Sequence, residues 1–367
     1  MEISILCKVV DNFGDIGVAW RMARRFFELD CNLIINLIVD GLASFAKIES
    51  SIDEKKTLQK IQNVYVYDWN DFDNCYKEFS KNDGEKLSFI IECFQCGRPL
   101  WLEKILFEDK LERTVHILMI DYLTAEKYAE DFHKLPSLTR SAKVQKINFM
   151  PGFTDKTGGL IIEKTWEFLP ERQINGPVLF FTYEKDWDAV AKSVCECSSN
   201  KIFAANGVGF ASIKSSFANV LRENFEKRFV EISFCNQKEW DKILCSSSVL
   251  FIRGEESLSR ACLSGIPFVW HAYVQSEEYQ LVKVKALLSL LKKYFSEPDY
   301  LIVERLWILI NTSDNSDYDE MKSACDDFMK NLDKLAENFA NFAKDLRKNG
   351  DLCLNVMTFI KKNYIMV

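Results

Sequence analysis

The chain carries only three histidines, His116, His133 and His271, in 367 residues, and that scarcity limits the metal chemistry open to it. Cys93 and Cys96 form its one C-x-x-C. With no second pair at zinc-site spacing, a structural zinc site lacks obvious ligands. No uninterrupted apolar stretch reaches the length of roughly 20 residues that spans a bilayer. The N-terminus lacks the basic, apolar and small-residue succession of a signal peptide. No block of basic residues relieves the net charge of -7, which argues against a nucleic-acid face. The G-x-G-x-x-G dinucleotide fingerprint is missing, which leaves a nicotinamide oxidoreductase as a weak option. Internal repeats and low-complexity tracts are also absent. The expectation is a soluble cytoplasmic protein with no cofactor, no metal, no membrane and no nucleic acid as partner.

What is present is enough apolar residue, 48% of the chain, to bury a large core, and enough length for two domains. The twelve cysteines, without secretion signals, read as reduced, small apolar fillers. Up to about Lys164 the chain alternates short apolar runs with helical patterns: Ile3 to Val10, Leu33 to Val39, Val64 to Tyr67, Ser88 to Ile91 and Val115 to Ile120. That alternation predicts a parallel sheet covered by helices, an α/β architecture. A second series runs through Pro177 to Tyr183, Lys201 to Ala204, Phe229 to Phe234, Val249 to Ile252 and Pro267 to Trp270. The polar segment from about Glu167 to Pro177 reads as the linker. Helical spacing returns from about Asp317 to Arg347, then Lys348-Asn349-Gly350 breaks it before a last helix from Asp351 to Lys362. Leu332, Leu335, Phe339, Phe342 and Leu346 form a narrow stripe, and bulky phenylalanines suit a domain core better than a coiled-coil seam.

Two motifs stand at strand ends, where open α/β sheets bind ligands. In the first, Asp11, Gly14, Asp15 and Gly17 follow the first strand, and helical spacing begins at Val18. Glycines in a turn let the backbone approach a ligand, and the short carboxylates can either cap the helix or face a cleft. In the second, Val249 to Ile252 runs into Arg253-Gly254-Glu255-Glu256-Ser257 and another helix. Free N–H groups at that helix start suit phosphate oxygens, with Ser257 adding a hydroxyl and Arg253 a charge. The two glutamates suit sugar hydroxyls or backbone N–H groups rather than a diphosphate. Upstream, Gln237 can pair with a base edge, and Trp240 either offers a ring face to a nucleobase or belongs to the core. Phe181 and Tyr183 carry the same two readings.

Together these motifs resemble the EarP family, the bacterial protein-arginine rhamnosyltransferases that modify elongation factor P. The resemblance rests on Asp11 to Gly17, Leu123-Thr124-Ala125-Glu126, His133 to Ser137, Pro151 to Leu160, Arg253 to Ser257, and Pro267 to His271 with Gln275, all in family order. It implies a GT-B fold, two Rossmann-like domains facing across a cleft. Residues 1–170 would form the acceptor side with the catalytic Asp, 171–345 the nucleotide-sugar domain, and 346–367 a helix packing back on the first. The implied reaction is inverting transfer of L-rhamnose from dTDP-β-L-rhamnose to an arginine of elongation factor P, relieving stalling at proline runs, without metal. By motif position Asp15 is the catalytic carboxylate and Asp11 its partner; Phe181, Tyr183, Gln237, Trp240, Glu255, Glu256 and Ser257 fall on donor positions. Two residues depart from the family pattern: Glu256 replaces Asp, and Trp240 replaces Phe. Retained binding with a slower reaction is the expectation. The alternatives are a GT-B enzyme with another donor or acceptor, and a catalytically silent relative that only binds elongation factor P or nucleotide.

Overall fold

A computed structural model of the chain describes residues 1–10, 13–81, 86–313 and 317–364. It divides into two compact units, Met1–Glu167 together with Asn349–Val367, and Phe168–Lys348. Among the described residues the first unit holds eight strands: β1 (Glu2–Cys7), β2 (Ile34–Val39), β3 (Leu58–Ile61), β4 (Val64–Asp68), β5 (Phe89–Cys93), β6 (Val115–Ile120), β7 (Pro136–Ser137) and β8 (Val144–Asn148). Their order is β3-β4-β2-β1-β5-β6-β8-β7. The six inner strands pair in parallel; β3 and β7 close the edges antiparallel.

Helices cover both faces of this sheet, so β1 is buried along its whole length. Successive side chains point to opposite faces. Ile3, Ile5 and Cys7 share one core with Trp20 and Phe26 of the helix Gly14–Leu29, while Leu6 enters another with Phe79 and Trp101. The continuous apolar runs marked the inner strands β1, β2, β4, β5 and β6. They missed β3, β7 and β8, which alternate or lack apolar residues because they sit at or next to a half-exposed edge. The helix after β1 also begins earlier than its apolar spacing suggested, at Gly14 rather than Val18.

Among the described residues the second unit forms five strands, β9 (Val178–Phe181), β10 (Ile202–Ala205), β11 (Phe229–Ile232), β12 (Val249–Arg253) and β13 (Phe268–His271), all parallel in the order β11-β10-β9-β12-β13. In both sheets the chain winds outward from its first strand and then returns to that strand's other side. The reversal falls between β1 and β5 in one and between β9 and β12 in the other, which is where an open sheet leaves a ligand crevice at its carboxyl edge. The stripe on Leu332–Lys348 faces the core: Leu335, Phe339, Phe342 and Leu346 are buried, and Phe339 lies 5.1 Å from Phe268.

The run Pro151 to Leu160 has a structural task within the first unit. Gly159 (φ +83°) and Gly350 (φ +89°) meet so closely that a Cβ on Gly159 would fall 2.4 Å from the Gly350 carbonyl oxygen. Leu352 N–H donates to the Leu160 carbonyl at 2.8 Å, and the Asn355 amide to that of Gly158 at 3.0 Å. Asp351 is buried, and its carboxylate accepts from Leu354 N (2.8 Å), Ile162 N (3.0 Å) and Arg25 Nε (2.8 Å). The last helix, Leu352–Tyr364, thereby lays Leu352, Val356, Met357 and Ile360 into the core shared with Trp20. Asp351→Ala removes both the helix cap and one side of a buried ion pair, so it is expected to lower unfolding free energy by about 3–5 kcal/mol. Asp351→Asn, which keeps an acceptor for the cap, should cost less; urea unfolding of the two variants checks the order.

Candidate active site

In the first unit the carboxyl edge of the central strands gathers around Asp15. The residue lies in the first turn of Gly14–Leu29, where a carboxylate is favoured by the helix dipole, and it is only 2% exposed. Its Oδ2 accepts the Val10 N–H at 2.8 Å and its Oδ1 the Tyr122 hydroxyl at 3.2 Å. The structure therefore corrects the expectation of a turn carrying Asp15 with Gly14 and Gly17. All three residues are helical, because the helix starts directly after Phe13 and the Gly17 N–H already bonds the Phe13 carbonyl. Asp11 lies outside the described residues. Tyr122 was not anticipated: it stands 107 residues from Asp15 in sequence, and only the adjacency of β1, β5 and β6 brings the two together.

In the second unit the residues singled out beyond β9 and β12 come together. The Arg253 guanidinium lies over the rings of Phe181 (4.5 Å) and Tyr183 (4.7 Å), and Trp240 meets Phe181 edge-on at 5.1 Å. Trp240 is half-buried, not core. Gln237 and Trp240 ride on the helix Gln237–Cys245, capped by Asn236, rather than on a loop. Glu255, Glu256 and Ser257 occupy the first turn of Glu255–Ser264, behind Gly254, whose φ of +71° only glycine adopts readily. Three helices, beginning at Phe210, Gln237 and Glu255, start beyond the ends of β10, β11 and β12. Their N-termini give this edge a positive field suited to a diphosphate.

Sequence reasoning overlooked two glycines here. A Cβ on Gly207 would press against Arg253 and Phe181, and one on Gly209 would fall 2.4 Å from the Thr182 carbonyl oxygen. Their signal was available as Asn206-Gly207-Val208-Gly209 directly after β10. His271 is a further member: its Nδ1 accepts the Tyr183 N–H at 3.3 Å, and burial, then the charges of Lys185 and Arg253, push its pKa down to about 3. It is a neutral acceptor that fixes the backbone of Tyr183. The Thr182 hydroxyl and Arg253 Nε are buried with no hydrogen-bond partner among the described residues, so a polar ligand at this edge meets donors ready for it. Among the described residues no helix is long and apolar enough to cross a membrane.

Two Rossmann-like units with ligand edges of this kind are the architecture of the GT-B fold. The solved structure describing EarP-mediated arginine glycosylation of translation elongation factor EF-P superposes with a TM-score of 0.57, at 17% identity and covering 99% of each chain, which gives the fold. The chain belongs to the EarP family, described as Elongation-Factor P (EF-P) rhamnosyltransferase, whose family model matches residues 3–361. The protein-arginine rhamnosyltransferase of Shewanella oneidensis is 27% identical over 98% of this chain and 97% of that protein. That of Pseudomonas aeruginosa is 30% identical over 78% and 80%. The chain is thus an enzyme of the protein-arginine rhamnosyltransferase class.

The buried histidine sets a pH dependence. Unfolded His271 takes up a proton near its ordinary value of 6.5, whereas the folded residue refuses it until about pH 3. Stability is therefore lost progressively as pH falls through that window. The urea midpoint should drop between pH 7 and pH 5, and His271→Asn should shrink the drop.

Proposed function

We propose that this enzyme is a cytoplasmic, inverting rhamnosyltransferase that moves L-rhamnose from dTDP-β-L-rhamnose to one arginine of translation elongation factor P. The observation that carries the reading is the buried Asp15 carboxylate, held by a donor on each oxygen at the carboxyl edge of β1, in a chain that belongs to the EarP family. Asp15 and Asp11 receive the acceptor guanidinium. Phe181 and Trp240 face the nucleobase and Gln237 its edge. Arg253, Tyr183, Ser257 and the helix N-termini take the diphosphate, and Glu255 and Glu256 hold sugar hydroxyls.

Arginine is a poor nucleophile while protonated. A guanidinium titrates at about 13.8 and an ordinary aspartate at about 3.9, a gap worth about 13 kcal/mol, so proton removal in a separate first step is too costly. The C–N bond forms as the N–H proton passes to Asp15, and the C–O bond to the diphosphate breaks with dTDP leaving as an anion. The positive edge of the second sheet supplies the charge that a metal supplies elsewhere. Transfer should therefore persist in EDTA.

Incubation of elongation factor P with this protein and dTDP-β-L-rhamnose should add one deoxyhexose, mapped by mass spectrometry to arginine. Asp15→Asn should slow the transfer by at least about a hundredfold. Donor binding without any mass increment would point to another acceptor or to a silent relative. Glu256→Asp separates those two: turnover rising from nothing marks the silent relative, and no change marks the wrong acceptor.

A further inference from the structure

We propose that Tyr122 is a positioning residue for Asp15, fixing the orientation in which that carboxylate meets the acceptor arginine; this rests on the role given to Asp15 above. Tyr122 Oη donates to Asp15 Oδ1 at 3.2 Å while the Val10 N–H donates to Oδ2 at 2.8 Å. A carboxylate with a donor on each oxygen cannot turn about its Cβ–Cγ bond without losing one of them.

Tyr122 is itself held from two strands. Its ring stacks on Phe94 with centroids 4.7 Å apart and planes 21° apart. Its N–H donates to Asp121 Oδ1 at 2.8 Å, and the Gln95 amide donates to Asp121 Oδ2 at 2.9 Å, so one side chain ties the exit of β5 to the exit of β6. Phe94 (φ +56°) and Gln95 (φ +52°) both adopt left-handed backbone conformations that non-glycine residues avoid. Strain of this sort persists only where the surroundings impose it, and it gathers at functional sites. A ring needed only for packing would be buried, yet Tyr122 is 39% exposed beside a carboxylate that is 2% exposed. The hydroxyl is what distinguishes it from phenylalanine at this place. During transfer the acceptor proton goes to Asp15, and Tyr122 keeps its own.

Tyr122→Phe preserves the stack on Phe94 and removes the hydroxyl that donates to Asp15. The rate of transfer at saturating substrates should fall about ten- to a hundredfold, with the Kd for dTDP-β-L-rhamnose unchanged. A residue that merely packs would leave both the rate and the Kd in place, because the ring and its stack on Phe94 remain. If Asp15→Asn is inactive but Tyr122→Phe keeps the parental rate, the inference about Tyr122 is overturned while the function stands. If Asp15→Asn transfers at the parental rate, the role of Asp15 falls and the inference with it.

Discussion

The helix Gly14–Leu29 is tethered by its arginines, and the geometry of the first unit depends on that tether. Arg21 and Arg24 both reach Glu163, the latter at 2.7 Å, and Arg25 pairs with Asp351 at 2.8 Å. These contacts span 142, 139 and 326 residues of sequence. Buried ion pairs are weak contributors to net stability, since desolvation offsets most of their attraction. Their effect here is on register: a helix displaced by one turn would leave buried charges facing the wrong groups. Asp15 sits on this helix, so its position above β1 is set by carboxylates contributed from the far end of the unit and from the returning last helix.

The second unit reaches its ligand edge by another route. No buried ion pair holds Arg253 there among the described contacts; its guanidinium lies on two aromatic faces instead. A cation over aromatic rings keeps its charge available while its position is fixed, and desolvation strengthens the contact. The glycines at 207 and 209 make this possible, because side chains there would occupy the space of Arg253 and of the Thr182 and Tyr183 carbonyls. Neutral His271 completes the arrangement by accepting from Tyr183 without adding a third positive charge beside Arg253 and Lys185.

The α/β class and the inner strands were legible because buried parallel strands read as continuous apolar runs, and β1, β9 and β12 are buried through most of their length. The strand-end motifs were legible because topology puts strand ends and helix starts together. Edge strands such as Leu58–Ile61 were not, since half-exposed strands carry no such run. The backbone of Gly14 and Gly17 was misjudged because glycine signals a turn locally, whereas the Asp15 carboxylate and the packing of Trp20 and Phe26 extend the helix toward the strand. Tyr122, Asp121 and the Arg25 to Asp351 pair were invisible for a different reason. Each is a contact between distant segments, and periodicity speaks only of neighbours.

Long-range contacts also set what the proposed chemistry demands of each unit. A leaving diphosphate is large and delocalised, and helix N-termini with one aromatic-bound cation meet it over several atoms, so small errors in any one donor matter little. Accepting a proton from arginine is less forgiving. The transfer must coincide with C–N bond formation, because the free-energy gap to a deprotonated guanidine is about 13 kcal/mol. Its success therefore turns on one carboxylate being in one place. The structure's investment follows that asymmetry: the edge proposed to hold the donor is built from short, local strand-to-helix turns, while Asp15 is fixed by a backbone N–H, a phenol from just past the end of β6, and a helix clamped by residues 163 and 351.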